Sequence, residues 1–408
     1  MRFQEVEIGI EQVSAGMYVC RLDRSWNGAP FPLQGFLVDA DDQLDWLRAN
    51  CRSVWIDIER GLPPKDVPLQ QSKRRAPVEV EPLVGSVRYK DQVSFAAELP
   101  AAREAHDNAT RLAQQIIDDV RAGHKLSPAD VRAASEPIVE SVLRSADTMF
   151  WVNALQRHGT YAYSHAINCC ALAAAFGRHL GLPAELLVDL ASGGLLLDVG
   201  KARLPEDLLG HAGPLDAATT TRMRDHVSLS QKILDESGEH SHELYEMIRT
   251  HHERWDGSGY PAGLHGTSIP LFGRMAAIID SFDAMTSERP HAKAIARHEA
   301  LQHLYRSRET LFQGELVEQF TGCLGVYPTG SLVELGTGEV AIVMTQNTTR
   351  RLRPLVMLLT DAHKNHLAEF RPLDLMQQPE GVPLKEQINI IRPLPVGAHG
   401  LDPAELYL

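Results

Sequence analysis

The sequence predicts a mainly α protein: an all-helical core, a small β-rich domain before it and a small β-rich appendage after it. Three observations predict this. From about residue 98 to 325, apolar residues recur at helical spacing with few strand signals. Before residue 60 they alternate with polar ones. After residue 326 they form short runs bounded by Gly, Asn and Pro. At 408 residues the chain is long enough for two or three domains, each with its own core.

Residues 1–60 carry the first strands. Val6, Ile8 and Ile10 alternate with polar neighbours, and 17–20, 35–38 and 54–58 are strand-like. Asn27-Gly28-Ala29-Pro30 marks a turn, and 42–50 fits a short helix. Nothing there has catalytic spacing, so the segment reads as an interaction or sensory domain. Residues 61–95 are proline-bearing and read as a linker, with Lys73-Arg74-Arg75 a solvated charge run. Residues 96–149 read as a helical connector. Leu112, Ile116, Ile117 and Val120 share one helix face, and Ser127-Pro128-Ala129-Asp130 has the order of a helix start.

Residues 150–326 form the helical domain, with helices expected over 155–179, 183–197, 215–236, 240–253, 272–286 and 292–311. Residues 327–408 form the β-rich appendage, with strands expected at 330–335, 339–343, 355–359 and 367–375 and an exposed loop over 347–353.

A formal net charge of −13 argues against a nucleic-acid or anionic-membrane surface, either of which needs a basic face. It leaves open an anionic small substrate, because bound metal ions invert the local field. Five cysteines at irregular spacing, with no C-x-x-C, point to a reduced, cytoplasmic setting. Cys169 and Cys170 read as small core residues. No apolar run is long enough for a membrane span.

The chemistry concentrates at residues 251–261, His-His-Glu-Arg-Trp-Asp-Gly-Ser-Gly-Tyr-Pro. A buried pair of neighbouring histidines needs a user for its lone pairs, and a metal is the usual one. Gly257, Gly259 and Pro261 make a tight turn that can approach a ligand closely. His165, Asp198, His226 and Asp280 add nitrogen and oxygen donors of the kind that hold Fe, Mn, Zn or Ni. They are spread as expected when several helices each send one ligand into a bundle.

These residues resemble the HD-GYP family of metal-dependent phosphohydrolases, which act on cyclic di-GMP. The segment 251–261 carries the family's pattern nearly in full, and Ile269-Pro270-Leu271 and the run from Asp280 to Pro290 continue it in register. The N-terminal domain resembles the domain of unknown function that often precedes such modules. The resemblance implies an all-helical HD-type bundle. It also implies two metal sites bridged by Asp198, one of them completed by His226, His251 and His252.

The other site departs from the family. Leu197-Asp198 stands where the family has His-Asp, and leucine offers no lone pair. That leaves His165, Asp198 and Asp280, so the expectation is one well-formed and one weaker site for a divalent transition metal, Fe or Mn. Tyr161 replaces a glutamate tied to a third metal in some relatives, and Lys293 is shifted by one position from the family's basic residue.

The implied reaction is phosphodiester hydrolysis by a metal-activated water in bacterial second-messenger signalling. Asp198 and Lys201 are then the catalytic candidates. Arg254, Gly257, Gly259, Tyr260, Pro261, Arg289 and Lys293 are the substrate-side ones. The competing reading is a catalytically weak or inactive cyclic di-GMP sensor or docking module for signalling proteins such as GGDEF-type diguanylate cyclases. A homodimer is a further expectation.

Overall fold

The computed structural model describes residues 5–23, 36–57, 61–62, 64, 85–155, 161–210, 216–238, 240–289, 293–347, 350–377 and 387–403. The turn expected at 27–30, the basic run 73–75 and most of the expected linker lie outside these residues. Two compact units result, one of 1–81 with 380–387 and the other of 82–379 with 388–408.

The first unit holds β1 (Glu5–Gly9), β2 (Tyr18–Leu22), β3 (Phe36–Leu37), α1 (Asp41–Asn50) and β4 (Ser53–Asp57). Its antiparallel sheet has the order β1-β4-β2-β3. Val6 pairs with Ile56 and Ile8 with Val54, so the alternation seen in the sequence places Ile8, Val54 and Ile56 in the core.

The second unit begins with α2 (Phe95–Arg121), α3 (Pro128–Arg144), α4 (Ala146–Leu155), α5 (Tyr161–Leu180) and α6 (Ala184–Leu196). It continues with α7 (Glu206–Leu209), α8 (Ala217–Arg224), α9 (His226–Ser237) and α10 (His242–Thr250). Then come α11 (Leu271–Thr286), α12 (Arg297–Arg306) and α13 (Gly314–Leu324). Side-chain caps fix several starts. Ser127 Oγ accepts from Asp130 N at 3.2 Å and Ser241 Oγ from Leu244 N at 3.2 Å, each worth about 1 kcal/mol.

Several expected helices are shorter or divided, and the one expected over 292–311 is helical only over Arg297–Arg306. The stretch 215–236 breaks at Asp225, whose N–H bonds back to Arg222 O at 3.2 Å in a tightened turn. The Met223 carbonyl in this turn also takes the His226 Nδ1 proton, at 2.7 Å. The stretch 240–253 ends at Thr250, so His251 and His252 sit in the turn just beyond α10.

The chain closes with β5 (Leu332–Leu335), β6 (Val340–Thr345), β7 (Leu355–Thr360), β8 (His366–Asp374) and β9 (Ile390–Leu394), in the order β8-β7-β6-β5-β9. Both faces are covered. Leu332, Val340, Ile342 and Leu394 pack with Trp151 of α4, while Val333, Leu335, Ala341, Val343 and Val356 form a second cluster. The sequence did not announce β9. Pro393 lies within it, and proline is tolerated because, among the described residues, β9 is an edge strand paired with β5 alone.

Candidate metal centre

Six of the expected ligands converge. Asp198, His226, His251 and His252 offer ligand atoms within 4.8 Å of one another, and His165, Asp198 and Asp280 form a second set sharing Asp198. The backbone brings them together by close approach. Asp198 precedes a short 3-10 turn (Val199–Arg203), and Gly200 within it lies against the start of α9. A Cβ on Gly200 would stand 2.0 Å from His226 O, so only glycine lets the turn meet the helix. Gly200 N donates to Ser230 Oγ at 2.8 Å and locks the contact.

The imidazoles are oriented from behind. His226 Nδ1 donates to Met223 O and His251 Nδ1 to Ile248 O, each at 2.7 Å. Each bond fixes the tautomer and leaves an Nε2 lone pair facing inward. His226 Nε2 lies 3.2 Å from His252 Nε2 and 3.5 Å from His251 Nε2. His165 follows the same plan with a carboxylate: its Nδ1 is 2.7 Å from Asp283 Oδ2, and its Nε2 is 3.4 Å from both Asp198 Oδ2 and Asp280 Oδ1.

Electrostatics agree with a site built for a cation. Burial, then the neighbouring His226, pushes His251 down to about 4, so it is neutral at pH 7. Burial also lowers His226 and, with His251 beside it, His252. Burial by itself would raise Asp198, but Lys201, His226 and His165 hold it well below the ordinary carboxylate range. Asp280 is held low against its burial by His165. Asp198 Oδ1 is buried and makes no hydrogen bond among the described residues, although His226 Nε2 stands 3.3 Å away. Neutral histidines with inward lone pairs around an ionised carboxylate with an unused oxygen fit a divalent transition metal.

The turn after the ligands is tied to them. Glu253, 1% exposed, accepts from Ala262 N at 2.8 Å and Leu264 N at 3.0 Å. Tyr260 N donates to His252 O at 3.2 Å, and the Tyr260 ring stacks on His252 with centroids 4.7 Å apart. The Tyr260–Pro261 peptide is cis. A Cβ on Gly259 would lie 2.4 Å from Arg254 N, whereas Gly257 holds φ of +81°.

The expected cations divide. Arg254 donates to His251 O and Glu253 O and lies over the Phe312 ring, so it braces the turn from within the protein. Lys201 Nζ is 2.5 Å from Asp198 Oδ2. Arg289 has a buried Nε with no partner among the described residues, and Lys293 is exposed.

Sequence reasoning missed three contributors. Glu253 organises the turn, although nothing in its spacing says so. Asp283 holds His165 and lies one helical turn past Asp280, a spacing that could have flagged it. Arg224, exposed at the end of α8, places its guanidinium 4.6 Å from the Tyr260 centroid, and its position two residues before His226 was the available signal.

The bundle and its buried His/Asp cluster define a helical metal-binding domain. Residues 146–316 match the HD domain, 5–131 a domain of unknown function (DUF3391), and 332–381 a KOW domain associated with HD domain. The protein named cyclic di-GMP phosphodiesterase PA4108 of Pseudomonas aeruginosa is 31% identical over 362 residues, 87% of this chain and 85% of the relative.

The cyclic di-GMP phosphodiesterase response regulator RpfG of Xanthomonas campestris pv. campestris is 35% identical over 161 residues, 39% of this chain and 42% of the relative. The 3'3'-cGAMP-specific phosphodiesterase 2 of Vibrio cholerae is 33% identical over 191 residues, 46% of this chain and 35% of the relative. The chain belongs to the HD-GYP family of HD-domain proteins. Among the described residues, no helix is long and apolar enough to cross a membrane.

Proposed function

We propose that the protein is a metal-dependent phosphodiesterase that hydrolyses cyclic di-GMP to a linear dinucleotide. The observation that carries this reading is the convergence of Asp198, His226, His251 and His252 beside the Gly-Tyr-Pro turn. Similarity to PA4108 over most of both chains supports the substrate class.

Divalent transition metal, Fe or Mn, supplies electrophilic activation of the phosphodiester and an acidified water when bound. His226, His251 and His252 with Asp198 Oδ1 hold it, with their backbone-bonded Nδ1 groups keeping the rings in place. His165, Asp198 and Asp280 form the weaker set.

Lys201 supplies positive charge next to the cluster, where a phosphate arrives. Arg289 offers an unused buried donor, and Arg224 and Lys293 add exposed cations. Gly257, Gly259 and Pro261 shape the wall, and Tyr260 braces a nucleobase while staying protonated, because burial and the two aspartates raise its pKa.

The test is turnover of cyclic di-GMP by chelated protein reconstituted with Mn(II) or Fe(II), with 3'3'-cGAMP in parallel. The expected result is metal-dependent formation of linear dinucleotide, lost in His252→Ala together with bound metal. Metal-loaded protein that binds cyclic di-GMP and leaves it intact would overturn the reading in favour of a sensor. Preference for 3'3'-cGAMP would move the substrate.

A further inference from the structure

The C-terminal sheet meets the helical bundle at a cavity of about 30 Å³, lined by none of the candidate metal ligands. One side is the end of α11, at Thr286, with the start of α12. The other is the entry to β5 and the end of β9. A water occupies about 10–15 Å³ of such space. The cavity therefore suits a small ion or a pair of waters and is too small for a nucleotide.

Its charge is one-sided. α12 starts without a side-chain cap, because Ala296 stands at the capping position and has no acceptor to offer. The first N–H groups of a helix have no partner within it, and together they form its positive end. Ala296, Arg297 and His298 of this start all line the cavity. Arg297 adds a guanidinium, positioned where its Nη1 donates to Thr329 O at 2.9 Å. No acidic side chain lines the cavity among the described residues.

The polar side chains differ in what they have left to give. Thr286 Oγ1 donates to Phe282 O at 3.1 Å. His298 Nδ1 donates to Val326 O at 2.8 Å, and its Nε2 lies 3.0 Å from Gln302 Nε2. Ser331 also lines the cavity and is 6% exposed, yet its Oγ is buried with no hydrogen-bond partner among the described residues. A buried hydroxyl left unpaired is costly, so it calls for a partner. Gly330 beside it, at φ +83°, lets the chain pass close to α4 and Arg297: a Cβ there would stand 2.3 Å from Ala154 Cβ and 3.5 Å from Arg297 Cζ.

We propose that this cavity binds a small tetrahedral oxyanion, inorganic phosphate or sulfate, between the uncapped start of α12, Arg297 and Ser331. The anion accepts from the first N–H groups of α12 and from Ser331 Oγ, and Arg297 supplies opposite charge. Bound there, it ties α12 to the entry of β5 and stabilises the folded protein by mass action.

The experiment is a phosphate titration of chelator-treated full-length protein at constant ionic strength, read by calorimetry and thermal denaturation, with chloride as the control ion. The parent is expected to take up one phosphate per chain, and its melting temperature to rise with phosphate and not with chloride. Ser331→Ala should weaken uptake roughly tenfold or more, the effect of one hydrogen bond to a charged group. Ala296→Asp gives α12 its own carboxylate cap. It should abolish the phosphate response while melting in chloride at or above the parent temperature. His252→Ala should bind phosphate as the parent does, which separates the cavity from the metal centre. A parent with neither phosphate uptake nor phosphate-dependent melting overturns the proposal. So does uptake that is unchanged in Ser331→Ala or in Ala296→Asp, and so does its loss in a His252→Ala protein whose circular dichroism matches the parent.

Discussion

Removing the Glu253 carboxylate should loosen the Gly-Tyr-Pro turn without emptying the metal centre. Glu253 is buried and takes two backbone protons, from Ala262 and Leu264. Hydrogen bonds to a charged group are worth about 1.5–3 kcal/mol each. Ala262 is exposed and Leu264 half-buried, so water replaces part of what Glu253→Ala removes, and the local cost falls to about 2–3 kcal/mol. A cost of that size corresponds to a roughly 30- to 150-fold rise in the opening equilibrium of the turn.

Hydrogen exchange of the Ala262 and Leu264 amides reads this directly. Glu253→Gln keeps one acceptor and should give about half the free-energy change. Bound metal should stay at the parent level, because His226 and His251 are held by Met223 O and Ile248 O and not by Glu253. KM for cyclic di-GMP should rise, since Tyr260 is carried by the same turn. Unchanged exchange at both amides in Glu253→Ala would refute the reasoning, and loss of metal would show that Glu253 acts on the histidines.

Two further outcomes follow from the packing. Gly200→Ala places a methyl group 2.0 Å from His226 O and 2.6 Å from Ser230 N, so the Asp198 turn must move off α9. Overpacking of this kind costs about 1–3 kcal/mol or more, and metal affinity should fall at least tenfold as the melting temperature drops. Thermal denaturation with a parallel metal titration checks it, and parent-like affinity would contradict the close-approach argument.

Asp147→Asn tests the join between α4 and the C-terminal sheet. Asp147 accepts from Gln346 N at 2.7 Å and Thr329 Oγ1 at 3.1 Å, and burial pushes its pKa up to about 6. A carboxyl raised on folding binds its proton more tightly in the native state. The stability it contributes is full below about pH 4 and is lost as pH rises through about 6. The whole shift corresponds to about 3 kcal/mol, and partial exposure reduces it to about 1–2. Asp147→Asn should therefore be more stable than the parent by that amount at pH 7 and equal to it at pH 4. A difference independent of pH in denaturant unfolding would refute the assignment.

Much of this architecture is legible in the sequence because period and punctuation are local. Ser127 followed by Pro128 and Asp130 marks the start of α3, and the cap bond is present. The alternation of Val333, Leu335, Ala341 and Val343 places them together on one face of the C-terminal sheet. What escaped depends on partners far away in the chain. The break at Asp225 is invisible until His226 turns to bond Met223 O. β9 is masked by Pro393, whose tolerance depends on being at a sheet edge. The ligand types could be listed from the sequence, yet which oxygen of Asp198 faces which neighbour is a matter of side-chain direction.

That direction decides how the cations of a strongly acidic protein are used. An arginine next to two ligating histidines invites assignment to the substrate. Arg254 Nη1 donates to His251 O and Glu253 O and the guanidinium lies on Phe312, so the side chain also stiffens the turn. Other cations stand nearer the cluster. Lys201 is fixed at Asp198 Oδ2, and Arg224 reaches the Tyr260 ring from α8. One cation is therefore set beside the carboxylate of the cluster and another beside the aromatic ring, which on the proposed function suits a ligand that presents both a phosphodiester and a base. The elements carrying them, the turn after α6 and the end of α8, both meet at His226. On the proposed function, a shift of α9 would move the candidate ligand His226, Lys201 and the Arg224–Tyr260 pair together.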